Sequence, residues 1–243
     1  MTAPRVLDVR EGAIEPDSFD LVLHHLKLGG LLAYPTETVY GFGGTPTPGV
    51  IEKLRALKER EREKPLMLLV PDMEAVCDLT WTPEAIELAE VFWPGSVTLV
   101  LSDPGVRYPE GVRGSQGTVA VRVSPHPLVQ KLVSGIGGPI ISTSANPPGA
   151  PPAMDAQGAL GAAVAMGAGE ELWVLDAGGL EPSSPSTIID CSGAEPVVLR
   201  QGTIPLERVR CVLPGVQLSS AEPERGSARV AAGSTRMPVV SND

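Results

Sequence analysis

Short apolar runs alternate along this chain with stretches in which apolar residues recur every three or four positions, and turn residues separate the two. Val6-Leu7-Asp8-Val9 reads as a first strand. Residues 16–28 read as a helix, with Pro16 in its first turn and Gly29-Gly30 as its stop. Residues 31–34 form a buried strand. Val50, Leu54 and Leu57 then give an apolar stripe to a helix that starts at Pro48, with Thr47 at its cap. Residues 66–70 read as a strand. Thr82-Pro83-Glu84 opens a helix carrying Ile86, Leu88, Ala89 and Phe92, which ends at Trp93-Pro94-Gly95. Strands follow at 97–101 and 118–123, a helix at 125–133, a strand at 139–142, and an Ala-rich helix at 155–166 capped by Asp155. Later strands are expected at 172–175, 187–190 and 197–199, with a last short helix at 205–212. Strands interleaved with helices predict an α/β domain. After Pro214 the chain loses its periodicity and becomes rich in Ser, Ala, Pro, Glu and Arg. Residues 1–213 are therefore expected to form one catalytic domain and 214–243 a disordered tail.

Composition narrows this picture. The 243 residues are 42% hydrophobic but only 4% aromatic, so the core must be built from Val, Leu, Ile and Ala. No apolar run approaches the ~20 residues that span a bilayer. The N-terminal residues show no basic segment followed by an apolar one, so a cytoplasmic protein is expected. Cys77, Cys191 and Cys211 lie far apart, which argues against a disulfide framework or a zinc site and predicts buried free thiols. His24, His25 and His126 form no ligand pattern either. A net charge of -10 leaves no general basic face for nucleic acid, so any RNA contact would be local or transient.

The candidate chemistry lies at strand ends. Tyr34-Pro35-Thr36-Glu37-Thr38-Val39-Tyr40-Gly41 follows one apolar run, and Ser142-Thr143-Ser144-Ala145-Asn146 follows another. Neither contains His or Cys, so they suggest a site that binds and orients a polar substrate rather than a nucleophile with its base. Lys53, Arg55, Lys58, Arg60, Arg62 and Lys64 supply six of the 19 basic residues, interleaved with Glu52, Glu59, Glu61 and Glu63. That cluster is either a solvated helix end laced with ion pairs or an anion clamp with Lys58 and Arg60 aimed at phosphates. In the strand 118–123, Thr118, Ala120 and Arg122 share one face. A buried Arg122 requires an anion, supplied by a structural carboxylate or by a substrate. Ser186-Thr187 and Arg200-Gln201-Gly202 place further polar groups at strand edges. The sequence has no GxxxxGK[ST], GxGxxG, GxSxG or HExxH motif.

Taken in order, these segments resemble the YrdC-like family of L-threonylcarbamoyladenylate synthases. The resemblance runs through the loop 35–41, Lys58-Glu59-Arg60 with Pro65-Leu66, the element 93–98, Val121-Arg122 leading to His126-Pro127, Ser144-Ala145-Asn146, the strand opening 186–188, and the segment 199–202. The chain departs from the family pattern at Glu61 and at Pro147-Pro148. The resemblance implies a twisted mixed α/β sheet with flanking helices and a concave basic cleft. It implies ATP-dependent joining of L-threonine and bicarbonate into threonylcarbamoyl-AMP, with pyrophosphate released and Mg²⁺ on the ATP phosphates. The product would pass to a tRNA threonylcarbamoyl transferase complex that modifies adenosine in tRNA, with possible direct contact to the tRNA. Thr36, Arg122, Ser144 and Ser186 would hold threonine and its carbamate. Lys58, Arg60, Thr118, Ser142, Asn146 and Arg200 would hold ATP, with Lys58 and Arg60 stabilising charge and no protein side chain binding the metal. A paralogue acting on another amine and a non-catalytic double-stranded RNA-binding module remain the alternatives at this point.

Overall fold

The computed structural model describes residues 3–10, 16–59 and 64–219. Eleven strands among them form one mixed sheet: β1 (Arg5–Asp8), β2 (Leu31–Pro35), β3 (Tyr40–Gly44), β4 (Met67–Leu69), β5 (Val97–Ser102), β6 (Thr118–Arg122), β7 (Ile140–Ser144), β8 (Leu172–Asp176), β9 (Thr187–Asp190), β10 (Val197–Arg200) and β11 (Gln217–Leu218). Their spatial order is β1-β8-β2-β3-β7-β4-β6-β5-β9-β10-β11. Among the described residues, six α-helices flank the sheet: α1 (Pro16–Lys27), α2 (Pro48–Lys58), α3 (Pro83–Phe92), α4 (Pro127–Ile136), α5 (Ala156–Ala165) and α6 (Leu206–Arg210).

The sheet has apolar matter on both faces, which is why its strands read as continuous apolar runs. On β2, β4 and β7, successive side chains enter different cores. Leu31 and Ala33 join a large core with α2, α3 and α5, whereas Leu32 and Tyr34 join a smaller one. The same split separates Leu68 from Leu69 and Ile141 from Ile140. The smaller core is roofed by α1 through Val22 and Leu26 and by α4 through Leu128, Val129, Leu132 and Val133. Those two helices cover only the half of the face around β8, β2, β7 and β4. On β5 and β6, Leu99, Leu101, Val119 and Val121 enter the large core, so Thr98, Val100, Ala120 and Arg122 point to the other side, beyond that roof.

The helix caps follow their sequence cues. Thr82 Oγ1 accepts from Ala85 N at 3.1 Å, and Asp155 Oδ1 accepts from Gly158 N at 2.7 Å. His126 Nδ1 accepts from Leu128 N at 3.2 Å, with Pro127 at the first helical position. Thr47 occupies the cap of α2 but makes no side-chain capping bond.

Three features differ from the expectations. Residues 40–44 form a strand where the sequence suggested a loop, because Gly41 and Gly43 let β7 approach closely. Past the expected boundary at 213, β11 pairs in parallel with β10 and Ser219 N donates to Val198 O at 2.8 Å. The remainder of the expected tail, 220–243, lies outside the described residues. Finally, only Cys191 is a buried thiol, its pKa pushed up to about 12 by burial, while Cys77 and Cys211 are exposed.

A Cβ at Gly43 would stand 1.9 Å from the Ile141 carbonyl oxygen and 2.8 Å from the Tyr34 hydroxyl. Both neighbours belong to packed strands, so Gly43→Ala should cost about 3 kcal/mol or more of stability, measured by chemical denaturation.

His25 stacks on Trp173 with ring centroids 4.1 Å apart, and its Nε2 lies 3.1 Å from Leu31 O. Burial holds its pKa below 6.5. Between that lowered value and 6.5 the folded chain binds fewer protons than the unfolded one. Stability is therefore fully present above 6.5 and is lost as pH falls through the lowered value. His126, also depressed by burial, acts in the same direction. Thermal melts from about pH 7 to about pH 5 should show a falling Tm, and His25→Phe should make that fall shallower.

Candidate active site

The uncovered part of the sheet face holds a cavity of about 390 Å³, within the roughly 300–1,000 Å³ typical of small-molecule sites. Val100, Ala120, Ile188 and Leu199 give it an apolar floor, and hydroxyls and cations gather at its edges. Lys64, Arg122 and Arg200 line it, and no Asp or Glu does among the described residues.

Arg122 ends β6 and is only 3% exposed. Its NH1 lies 3.3 Å from Glu37 Oε1 and 3.4 Å from Thr38 Oγ1. Its Nε is buried with no hydrogen-bond partner. Burial lowers the Arg122 pKa and the Glu37 charge opposes that shift. A guanidinium stays ionised in such a setting. Burying it with an unmatched donor costs free energy that an anion in the cavity would offset. Of the two readings of Arg122 left open by the sequence, the structural carboxylate is present as Glu37, and the residue also lines the cavity.

Arg200 approaches from β10. Its Nε and NH2 donate to Ser186 O at 3.3 and 2.8 Å. Burial lowers its pKa first, and the positive charge of Arg122 lowers it further. The charge of Arg122 disfavours that of Arg200 across one cavity, a field that an anion relieves. Ser186 Oγ and Thr98 Oγ1 are 2.8 Å apart, and both residues are buried.

Thr36 builds its own loop. Its Oγ1 accepts from Thr38 N and Val39 N, each at 3.2 Å, and donates to Val39 O at 2.8 Å. This turn fixes the cavity rim while Thr38 carries a hydroxyl towards Arg122. On β7, Ser142 and Ser144 face the cavity. Lys58 Nζ donates to Ser144 O at 2.9 Å, to Asn146 Oδ1 at 3.0 Å, and also to Asn146 O. Asn146 Nδ2 in turn donates to Ala150 O at 2.6 Å.

The sequence profile of the Sua5, YciO and YrdC proteins, described as telomere recombination, matches residues 24–202. This chain belongs to that family. The threonylcarbamoyl-AMP synthase of Chromohalobacter salexigens is 40% identical over 173 residues, covering 70% of this chain and 90% of the relative. The synthase of the same name from Vibrio parahaemolyticus is 36% identical over 192 residues, covering 76% and 100%. Among solved structures, P. abyssi Sua5 complexed with L-threonine superposes with a TM-score of 0.79 at 32% identity. That match covers 88% of this chain and 62% of the solved chain, so this protein spans less than two thirds of that Sua5.

Of the residues the YrdC-like resemblance assigned to substrates, the fold gathers Thr36, Arg122, Ser142, Ser144, Ser186 and Arg200 on one cavity. Lys58 and Asn146 stand one layer back, lacing the loop after β7 to the end of α2. Thr118 shares the face of Ala120 and Arg122, but it pairs with Ser102 one step beyond the lining residues. Arg60 lies outside the described residues. Sequence reasoning missed Thr38, Thr98 and Lys64 as lining residues, and Glu37 as the partner of Arg122. The signal for Thr98 was available: it falls two before Val100 on a strand whose odd-numbered residues are buried in the other core.

In this family member the segment 185–186 is also held by a close backbone approach. A Cβ on Gly202 would stand 2.0 Å from Pro185 O and 2.6 Å from Ser186 O. Gly202→Ala should displace Ser186 from the cavity wall. The clash is with backbone, so chemical denaturation should show a stability loss of about 2 kcal/mol or more, with the fold retained in circular dichroism.

Proposed function

We propose that this chain is a threonylcarbamoyl-AMP synthase. It joins L-threonine, bicarbonate and MgATP into L-threonylcarbamoyladenylate and pyrophosphate. The product is consumed by a tRNA threonylcarbamoyl transferase complex, with any tRNA contact by this chain transient. The observation that carries this reading is the buried Arg122, held on one nitrogen and unmatched at Nε, facing a cavity walled by hydroxyls and cations. The names of the relatives support it, as does the L-threonine bound by P. abyssi Sua5.

The chemistry suits such a wall. The free amine of threonine and bicarbonate give a carbamate and water. A carbamate oxygen then attacks the α-phosphorus of ATP, and the bond to the β-phosphate oxygen breaks as pyrophosphate leaves. Neither step needs a protein nucleophile, so positioning and charge stabilisation supply the catalysis. Arg122 would pair with a carboxylate of the amino acid or its carbamate, bracketed by Thr38, Thr98 and Ser186. Arg200, Lys64, Ser142 and Ser144 would meet the phosphates. Lys58 and Asn146 would shape the ATP side through their loop, with Arg60 and Thr118 on that same side. The metal belongs to the substrate in this reading, because Mg²⁺ commonly takes phosphate and water ligands. A cytoplasmic setting belongs to this reading because the product serves tRNA modification; no described helix is long and apolar enough to cross a membrane.

Purified protein given ATP and Mg²⁺ should release pyrophosphate only when L-threonine and bicarbonate are both present. Release that ignores either one, or release with a different amine in preference, would overturn the assignment. Arg122→Lys keeps the charge but loses the planar fork, and should cost kcat/KM about 2–3 kcal/mol, ~30- to 150-fold.

A further inference from the structure

Glu37 carries a charge that the proposed chemistry does not use. Its carboxylate is absent from the cavity wall and sits behind Arg122. Each of its oxygens has a hydroxyl donor: Ser96 Oγ reaches Oε1 at 3.2 Å, and Ser124 Oγ reaches Oε2 at 2.5 Å. Ser96 directly precedes β5 and Ser124 follows β6, so the carboxylate ties the loop after β2 to two neighbouring strands. The Ser124 hydroxyl accepts from His126 N at 3.2 Å, which aims its own proton at Glu37. Ser124 is fully buried, and its carbonyl accepts from Gln130 Nε2 at 2.7 Å. An exposed ion pair has none of this support. Glu37 is an oriented acceptor, and its Oε1 also lies 3.3 Å from NH1 of Arg122.

We infer that Glu37 is a positioning residue that acts on the amino-acid substrate through Arg122. It fixes NH1 on the protein side and so holds the guanidinium where Arg122 lines the cavity. A long guanidinium side chain left unheld loses rotamer freedom when a ligand immobilises it. Held beforehand by Glu37, it binds without that loss. Ser96 and Ser124 belong to the same device, since they fix the carboxylate that fixes the arginine. This inference rests on the proposed synthase reading.

The test is a double-mutant cycle on the full chain, read as KM for L-threonine and KM for ATP, with L-threonine binding followed in parallel by calorimetry. Glu37→Ala should raise the KM for L-threonine at least ~10-fold and leave the KM for ATP within about twofold. Glu37→Gln keeps an oxygen for NH1 and should recover most of the loss. In an Arg122→Met background, Glu37→Ala should change threonine binding less than about twofold. Four results would overturn the inference: an unchanged or lower threonine KM in Glu37→Ala, equal rises in both KM values, Gln behaving as badly as Ala, or a full Glu37 effect persisting without Arg122. Thermal melts of each variant separate these results from unfolding, and if Glu37→Ala does not fold, the Glu37→Gln arm decides alone, with a two- to threefold rise in threonine KM expected and an unchanged value overturning the inference. Wild-type protein that neither binds L-threonine nor requires it for turnover would sink the synthase reading itself, a result distinct from a wild type that works and a Glu37 variant that works equally well.

Discussion

Everything in this molecule follows from a sheet that must bury both faces while only half of one face is roofed by helices. On the far side, α2, α3 and α5 close a single large core against the sheet. On the near side, α1 and α4 cover the strands around β2 and β7 and leave those around β5, β6 and β9 open. Period-2 alternation then decides what the open half displays. Wherever a strand sends Leu or Val to the far core, the residue between is offered to the cavity. On β6, Val119 and Val121 go one way and Ala120 and Arg122 the other.

That geometry gives the site an electrostatic character the whole chain lacks. The protein carries a net charge of -10, yet the residues lining its cavity include three cations and no carboxylate among those described. The acidic residues are held back from the wall. Glu37 lies behind Arg122, and Asp103 is fully buried, with its carboxylate accepting from Arg107 N and Tyr108 N. Net charge therefore bounds long-range attraction of nucleic acid but says little about a desolvated pocket, where a few oriented charges dominate.

Much of the fold was legible because apolar runs and capping residues act locally. Thr82, Asp155 and the prolines at helix starts placed their helices within a few residues. Residues 40–44 resisted reading because their glycines look like a loop, and only the approach of β7 explains them. β11 is a two-residue parallel pairing with no pattern of its own. In the site, the motif residues Arg122, Ser142, Ser144, Ser186 and Arg200 announced themselves through position at strand ends. What could not be read was how groups distant in the chain divide their work. Asn146 and Lys58 satisfy one another, and the Thr36 hydroxyl is consumed by its own turn. Those pairings depend on tertiary approach, which periodicity does not encode.

The division between wall and backing explains why so many polar residues surround one cavity. A guanidinium, a lysine or a hydroxyl that must meet a developing charge works best when it need not reorganise. Several wall groups here are held by a second group: Arg122 by Glu37, Arg200 by the Ser186 carbonyl, and Ser186 by Thr98. Asn146 and Lys58 do the same for the loop that follows Ser144. A reaction whose nucleophile and electrophile both come from substrates asks the protein for this kind of rigidity and little else. The absence of a catalytic triad from the sequence and the abundance of backing hydrogen bonds in the fold are then two aspects of one demand.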